Sequence, residues 1–363
     1  MKISRPVGIL SYGASIPQQA ILASMIEAAQ GKPNSGIPQS LGVTQKTVPA
    51  IDEDTTTLAT AAGVQALQRL ADQSSDRSSA QNSIQKIGAL FIGSESHPYA
   101  VKPTGTMVKT ALGLSEKMAL ADLQFACKAG TQAMQIISAY VAAEMISAGM
   151  AIGADTAQSR PGDVLEFTAG AGAAAFILGS QKESLLARLL ATVSVATDTP
   201  DFWRRPGQAY PEHAGRFSGE PGYFYHVTTA TRLLLEETQL KPTDIDYCVF
   251  HTPNAKFPQQ VAKKLGFTPA QLEKSLVVPQ IGNTYAAASL LGLAATLDQT
   301  EAGKKILVTS YGSGAGADSF LFETTELLVE RRKSWKQFLR QQIAALELVD
   351  YQSYRLATGN GHQ

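Results

Sequence analysis

Phe125-Ala-Cys-Lys-Ala-Gly130 joins two stretches of different periodicity, and its reading decides the fold of this chain. Before it, Met118–Phe125 (MALADLQF) reads as a strand; after it, the small and apolar run Ala129–Ala148 reads as a long helix. A cysteine at a strand-to-helix turn faces the unpaired N–H groups and the positive dipole end of the helix, which stabilise a thiolate. Lys128 adds a positive charge next to it, and Ala129 and Gly130 allow close packing. A small buried core cysteine is the other reading of the same residue. Cys248, the second cysteine of the chain, lies inside the apolar run Tyr-Cys-Val-Phe250 and belongs to the core.

Outward from this turn, strands and helices alternate. Ile87–Ile92 (IGALFI) reads as a buried strand, Ala100–Leu114 as a loop entering a helix, Met150–Ala154 as a strand, and Gly170–Leu178 as another after a glycine-rich turn. The order recurs beyond residue 181. A helix at His226–Thr238 precedes a strand at Ile245–Phe250, a helix runs from after Asn283 to Leu297, and a strand spans Lys305–Ser310. The glycine turn Tyr311–Gly316 then leads to a strand at Asp318–Thr324. Such alternation predicts an α/β protein, and its recurrence predicts an internal duplication with halves at 1–180 and 181–363. The polar stretches Asp72–Ser83 and Thr358–Gln363 should be the least ordered. The long Thr197–Gly222 connection has the length of a functional loop.

Composition excludes several classes. With 31 basic and 31 acidic residues, the chain lacks the positive excess of a nucleic-acid binder. Two cysteines form no disulfide framework or Cys-rich zinc site, and the five histidines show no metal-ligand spacing. The most apolar helix-like stretch, Ile136–Ile152, is interrupted by Glu144 and too rich in Ala, Ser and Gly to span a membrane. A cytoplasmic enzyme without metal or cofactor is expected.

Further chemistry-bearing residues follow strands directly. Gly93-Ser-Glu-Ser-His-Pro98 places Glu95 among small residues at a strand end, where partial desolvation raises a carboxyl pKa toward acid–base use. An exposed loop glutamate is the competing reading, and His97 reads as a loop residue. His251-Thr-Pro-Asn-Ala-Lys256 projects a histidine from a strand end, where α/β sites gather. Asn283 stands at a helix start, a position that an ordinary N-cap also takes. The Tyr311–Gly316 turn offers backbone N–H groups to an oxyanion, or is a plain hairpin turn. Cys, Glu, His and Asn at strand–helix junctions form the set that acyl transfer requires.

At these residues the sequence resembles a known family. FACKAGT, GSESHPYAVKPTGT, GADTAQSRPGD, DTPDFWRRPGQAYPEHAGRFSGEP, HTPNAKFP, GNTYAAASLLGL and SYGSGAGAD together resemble the archaeal-type hydroxymethylglutaryl-CoA synthases of the thiolase superfamily. The resemblance implies a thiolase-like five-layer αβαβα fold with two related halves, a homodimer, and a place in the mevalonate route of isoprenoid synthesis. It implies that Cys127 carries an acetyl group from acetyl-CoA, Glu95 is the general acid/base, and His251 positions and polarises the acceptor, acetoacetyl-CoA. Asn283 then hydrogen-bonds at the acceptor site, and Ser313 belongs to the acyl-binding turn. Thr168, Arg216, Ser218 and Lys256 fall on positions contacting product or CoA. Association with an acetoacetyl-CoA thiolase and a zinc-ribbon/OB-fold bridging protein is also implied. Gln260 stands where a basic residue is usual, Thr252 replaces a glutamine, and Ala255 and Ala287 replace glycines. Relatives that condense onto a carrier-bound acetoacetyl group, and ketoacyl synthases using Cys, His and Asn, are the alternatives; a non-catalytic scaffold subunit would lack the Cys127–Glu95–His251 set.

Overall fold

The structure is a computed structural model that describes residues 5–72, 77–156 and 159–359; the side chains of residues 77–80 and of Arg216 lie outside the description. Nine strands form one mixed sheet: β1 (Gly8–Ser15), β2 (Ile87–Gly93), β3 (Ala119–Leu123), β4 (Ala148–Asp155), β5 (Gly172–Gly179), β6 (Ala187–Thr199), β7 (Tyr247–Phe250), β8 (Lys305–Thr309) and β9 (Gly314–Thr324). Their spatial order is β7-β8-β9-β6-β1-β5-β4-β2-β3.

Only two residue pairs, Gly8–Arg188 and Ile9–Ala187, join β1 to β6, so the sheet consists of two parts meeting at a narrow seam. Each part repeats one pattern. β1 pairs antiparallel with β5, β5 antiparallel with β4, and β4 parallel with β2. Likewise β6 pairs antiparallel with β9, β9 antiparallel with β8, and β8 parallel with β7.

Alternation of side chains along the strands explains the layering. In β2, Ala89 and Phe91 enter a central core, while Leu90 and Ile92 enter an outer one. In β8, Ile306 and Val308 face the central core and Leu307 faces outward to the second outer core. Two helices fill the centre: α2 (Ala129–Ala142) supplies Ala133, Met134, Ile137 and Val141, and α5 (Ala288–Leu297) supplies Leu290, Leu291 and Leu293. α5 is buried all round, as its uniformly apolar sequence requires. Helix α1 (Thr55–Ala71), started by a capping box at Asp54, covers the first outer face, and α3 (Phe224–Thr238) with α4 (Lys256–Leu265) covers the second. The result is a five-layer α-β-α-β-α arrangement.

Several expectations need correction. The helix after Cys127 ends at Ala142, not Ala148, because Glu144 turns to a positive φ of 59° and the chain enters β4 at Ala148. The polar stretch at 72–83 is helical from Arg77, while residues 73–76 lie outside the described residues. Thr358 and Gly359 complete a helix begun at Tyr351, and residues 360–363 lie outside the description. β9 starts at Gly314, inside the expected glycine turn. After Asn283, a single 3-10 turn at Tyr285–Ala287 precedes α5.

Candidate active site

The candidate residues Glu95, Cys127 and His251 follow the carboxyl ends of parallel strands, where α/β sheets leave a crevice. The close approach of two elements comes first. A Cβ added to Gly93, at the end of β2, would lie 2.2 Å from the Ala129 carbonyl carbon, so the absence of a side chain lets the strand end rest on the start of α2. Ala126 takes a positive φ of 42° immediately before the cysteine, which turns Cys127 sharply out of the strand direction. These two features bring Cys127 Sγ within 3.2 Å of Glu95 Oε1, the thiol donating to the carboxyl.

Cys127 is buried and Glu95 half-buried, and loss of water around the two groups sets their protonation. Loss of water and the nearby Asp155 carboxylate push Glu95 up to about 8, against weaker opposing effects of the Cys127 hydrogen bond and Arg204. Burial, then the Glu95 charge, pushes the Cys127 thiol up as well. The expected electrostatic activation by Lys128 is therefore corrected. Lys128 Nζ forms an ion pair with Asp318 at 2.9 Å and sits over the Phe125 ring, with its charge engaged away from the thiol. The site therefore holds a protonated thiol, not a resident thiolate, with a carboxyl next to it that can accept the proton.

Asp155, at the end of β4, holds the Glu95 loop. Its Oδ1 accepts from Ser94 Oγ, Ser96 Oγ and the Glu95 N–H at 2.7, 2.6 and 2.9 Å, and its Oδ2 accepts from the Ala286 N–H at 2.7 Å. One side chain thus ties the Glu95 loop to the turn that follows Asn283. An acidic residue closing an apolar strand was the sequence signal for it. Asp201 does similar work in the long loop after β6, accepting from Tyr311 Oη at 2.5 Å and from the Gly314 N–H at 2.8 Å.

His251 follows β7 and is 1% exposed. Its backbone carbonyl accepts from Tyr223 Oη at 2.7 Å, and its Nδ1 has no hydrogen-bond partner among the described residues. Burial pushes the ring down to about 3, so it is neutral at physiological pH. Asn283 is clamped through its backbone: its N–H donates to the Thr168 carbonyl at 2.6 Å and its carbonyl accepts from the Gly170 N–H at 2.9 Å. Its Oδ1 accepts from the Tyr285 N–H at 2.9 Å, which leaves the amide NH2 as the group it has to offer.

A cavity of about 350 Å³ gathers Cys127, Thr168, Ser218, His251, Asn283 and Ser313. Six of the expected residues thus share one wall system. A second cavity of about 400 Å³ borders the first and is lined by Glu95, Thr156, Arg204 and Ser313 among others. Lys256, the first residue of α4, is exposed and does not line either cavity, although its neighbour Phe257 lines the first. The Arg216 side chain lies outside the described residues. His97 is held apart by Thr104 at 2.8 Å and Cys248 is fully buried in β7, as their loop and core readings required. In the glycine turn, the Gly312 and Gly316 N–H groups donate to each other's carbonyls and Gly314 donates to Asp201, so these three are not oxyanion donors.

Residues 235–324 match the family model described as 3-oxoacyl-[acyl-carrier-protein (ACP)] synthase III C terminal. The chain is similar to the hydroxymethylglutaryl-CoA synthase of Methanopyrus kandleri, with 50% identity over 330 residues covering 91% of each chain. It is similar to that of Archaeoglobus fulgidus, with 48% identity over 348 residues covering 96% of this chain and 97% of the other. A solved structure, MvaS in complex with 3-hydroxy-3-methylglutaryl coenzyme A, matches with a TM-score of 0.84 at 24% identity, covering 97% of this chain and 92% of the other. At that identity the likeness is one of fold.

Proposed function

The chain belongs to the hydroxymethylglutaryl-CoA synthase family, and from that premise we propose how its residues divide the reaction. It is an acyltransferase that condenses acetyl-CoA with acetoacetyl-CoA. The observation that carries the division of labour is the 3.2 Å contact of Cys127 Sγ with Glu95 Oε1 at the junction of two cavities.

In the first stage the Glu95 carboxylate takes the thiol proton, Cys127 Sγ attacks the acetyl-CoA carbonyl, and the CoA thiol leaves with that proton. In the second, Glu95 removes a proton from the acetyl methyl group while backbone N–H groups near Cys127 and Ser313 hold the enolate oxygen. The carbanion attacks the C3 ketone of acetoacetyl-CoA, and Glu95 returns its proton to the new alkoxide. Neutral His251 donates from Nε2 to the ketone oxygen, a role suited to a ring that stays uncharged. Hydrolysis of the Cys127 thioester ends the cycle.

Asn283 and Thr168 hold the acceptor thioester, Ser218 and Ser313 flank the acyl group, and Lys256 and Arg216 attract the anionic part of CoA. The two halves meet at residues 180 and 181, between β5 and β6, a division that the repeated strand order supports. β3 is a half-buried edge strand, and we assign it to a homodimer contact in which two such edges pair. Partnership with a thiolase and a zinc-ribbon/OB-fold bridging protein, and a cytoplasmic setting, are part of the same proposal. No helix among the described residues is long and apolar enough to cross a membrane.

The test is an assay with acetyl-CoA and acetoacetyl-CoA, the latter free and carrier-bound, combined with intact mass and peptide mapping. A single acetyl group on Cys127 and turnover of free acetoacetyl-CoA are expected. A label on Cys248, or turnover of the carrier-bound acceptor alone, overturns the proposal.

A further inference from the structure

The two cavities divide the catalytic pair between them. Cys127 lines the first and Glu95 the second, while Phe202, Tyr285 and Ser313 border both. The first also holds His251, Asn283 and Thr168, the residues assigned to the thioester substrates. When an acyl-CoA fills it, bulk water no longer reaches the Cys127 thioester from that side. Yet the last step consumes one water at that carbonyl, and the base that activates it faces the other cavity. The second cavity is more polar in its lining, with Gln124, Arg204 and Glu95. Of its wall residues, Thr156 alone has a buried polar side-chain atom without a hydrogen-bond partner among the described residues.

Thr156 follows Asp155 at the end of β4, and its N–H donates to Ser96 Oγ at 3.1 Å. The same carboxylate that orders the Glu95 loop therefore fixes the Thr156 backbone beside it. A buried hydroxyl left without a partner is costly, and in a polar site a bound water is the usual way to satisfy it. Arg204, on the same wall, favours the ionised form of Glu95 that a base requires.

We propose that the second cavity is the water route of the hydrolytic step, and that Thr156 positions the water between its hydroxyl and the Glu95 carboxylate. The inference rests on Cys127 as the acyl carrier. In that step the water oxygen bonds to the thioester carbonyl carbon as Glu95 accepts a water proton. The C–S bond then breaks, its electron pair goes to Cys127 Sγ, and Glu95 delivers the proton there. The acid released loses its own proton to solvent and leaves as a carboxylate.

The experiment separates acylation from deacylation. Acetyl-CoA is mixed with the full chain, excess is removed, and both the appearance and the decay of acetyl-Cys127 are followed by intact mass. Thr156→Val should leave acetylation unchanged and slow the decay roughly tenfold, the effect of one lost hydrogen bond. During turnover it should accumulate the hydroxymethylglutaryl adduct on Cys127. Thr156→Ser should restore the wild-type decay. Equal loss of both rates, or an unchanged decay, overturns the assignment of Thr156. The wild-type protein supplies an independent measurement should Thr156→Val fail to fold. Saturating desulfo-CoA, which occupies a CoA site without reacting, should leave the decay of acetyl-Cys127 running; decay that stops would place the water route in the first cavity. Absence of any acetyl-Cys127 in the wild type would instead refute the carrier role itself.

Discussion

Cys127 Sγ donates a hydrogen bond to Glu95 Oε1 across 3.2 Å, and burial raises the pKa of both partners. At neutral pH the pair therefore holds both of its protons, and a carboxylate becomes available only as Glu95 titrates near 8. Acetylation of Cys127 should rise about tenfold per pH unit below that value and level off above it. Burial keeps His251 neutral above about 3, so it adds no limb to the profile in this range. Glu95→Ala should retain slow acetylation without this limb, and should lose product formation by about 10²–10⁴-fold. Rapid-quench mass spectrometry across pH 6–9 checks this; a limb that survives in Glu95→Ala would assign the proton to another group.

The same burial has a stability consequence. Glu95 is neutral in the fold up to about 8 and ionised in the unfolded chain above its ordinary value of 4.5. Unfolding thus releases a proton in that window, and stability falls as pH rises through it. Glu95→Gln keeps an acceptor for the thiol but removes this liability. It should gain on the order of 2–3 kcal/mol at pH 7 and nothing at pH 4. Urea titrations at the two pH values decide it, and an equal effect at both would point to packing instead.

That Glu95, Cys127 and His251 meet was readable in the sequence because each follows an apolar strand, and strand ends in α/β proteins gather at one edge of the sheet. The partners of buried charges were not readable. Lys128 looked like an activator of its neighbour, but Asp318, 190 residues away, takes its charge. Lys46 is fully buried and donates to Tyr354 Oη across 308 residues, a pairing that no local pattern displays. The end of α2 was misplaced because Ala143–Ala148 contains neither Gly nor Pro, and only the positive φ of Glu144 breaks the helix. Asp155 and Asp201 escaped notice because their roles lie in hydrogen bonds to loops that only the fold brings near.

Lys128 and Asp318 give a direct test of that correction. The Asp318 carboxylate is 0% exposed and also accepts from Thr131 Oγ1 at 2.9 Å and Ser194 Oγ at 2.6 Å. Lys128→Met leaves it buried without its counter-charge, which should cost about 3–5 kcal/mol of stability. The midpoint of the acetylation pH profile should stay where it is. A midpoint that rises by a full unit would return Lys128 to the role of activator.

Gly93 tests the packing that builds the catalytic contact. An added Cβ would meet the Ala129 carbonyl carbon at 2.2 Å and the Gly130 nitrogen at 2.3 Å, so the start of α2 must retreat. Displacement of Cys127 from Glu95 by about 1 Å is enough to cost roughly 10²-fold in rate. Gly93→Ala should therefore lose turnover on that scale even where the folded fraction, measured by near-UV circular dichroism, is preserved. Turnover within twofold of wild type would show that the helix start accommodates the methyl group.

The last prediction concerns CoA. Lys256 and Gln260 lie four residues apart on α4, both exposed, so their side chains share one face of the helix. Phe257, on the same helix, lines the first cavity, which places α4 beside it. The resemblance implies a basic residue at both positions, which together would form a two-charge clamp on the anionic part of CoA; here only Lys256 carries charge. An exposed ion pair contributes at most about 1 kcal/mol, equivalent to roughly a fivefold change in affinity. Free acetoacetyl-CoA should therefore remain a working substrate, held more weakly than a basic residue at 260 would hold it. Gln260→Arg should lower KM for a CoA substrate by up to about fivefold and leave kcat unchanged, since the contact acts equally on ground and transition states. The gain should shrink with added salt, because both charges are open to solvent. A change in kcat with constant KM would place residue 260 in the chemistry rather than in CoA capture. A chain inert to free acetoacetyl-CoA but active on the carrier-bound form would remove the clamp altogether.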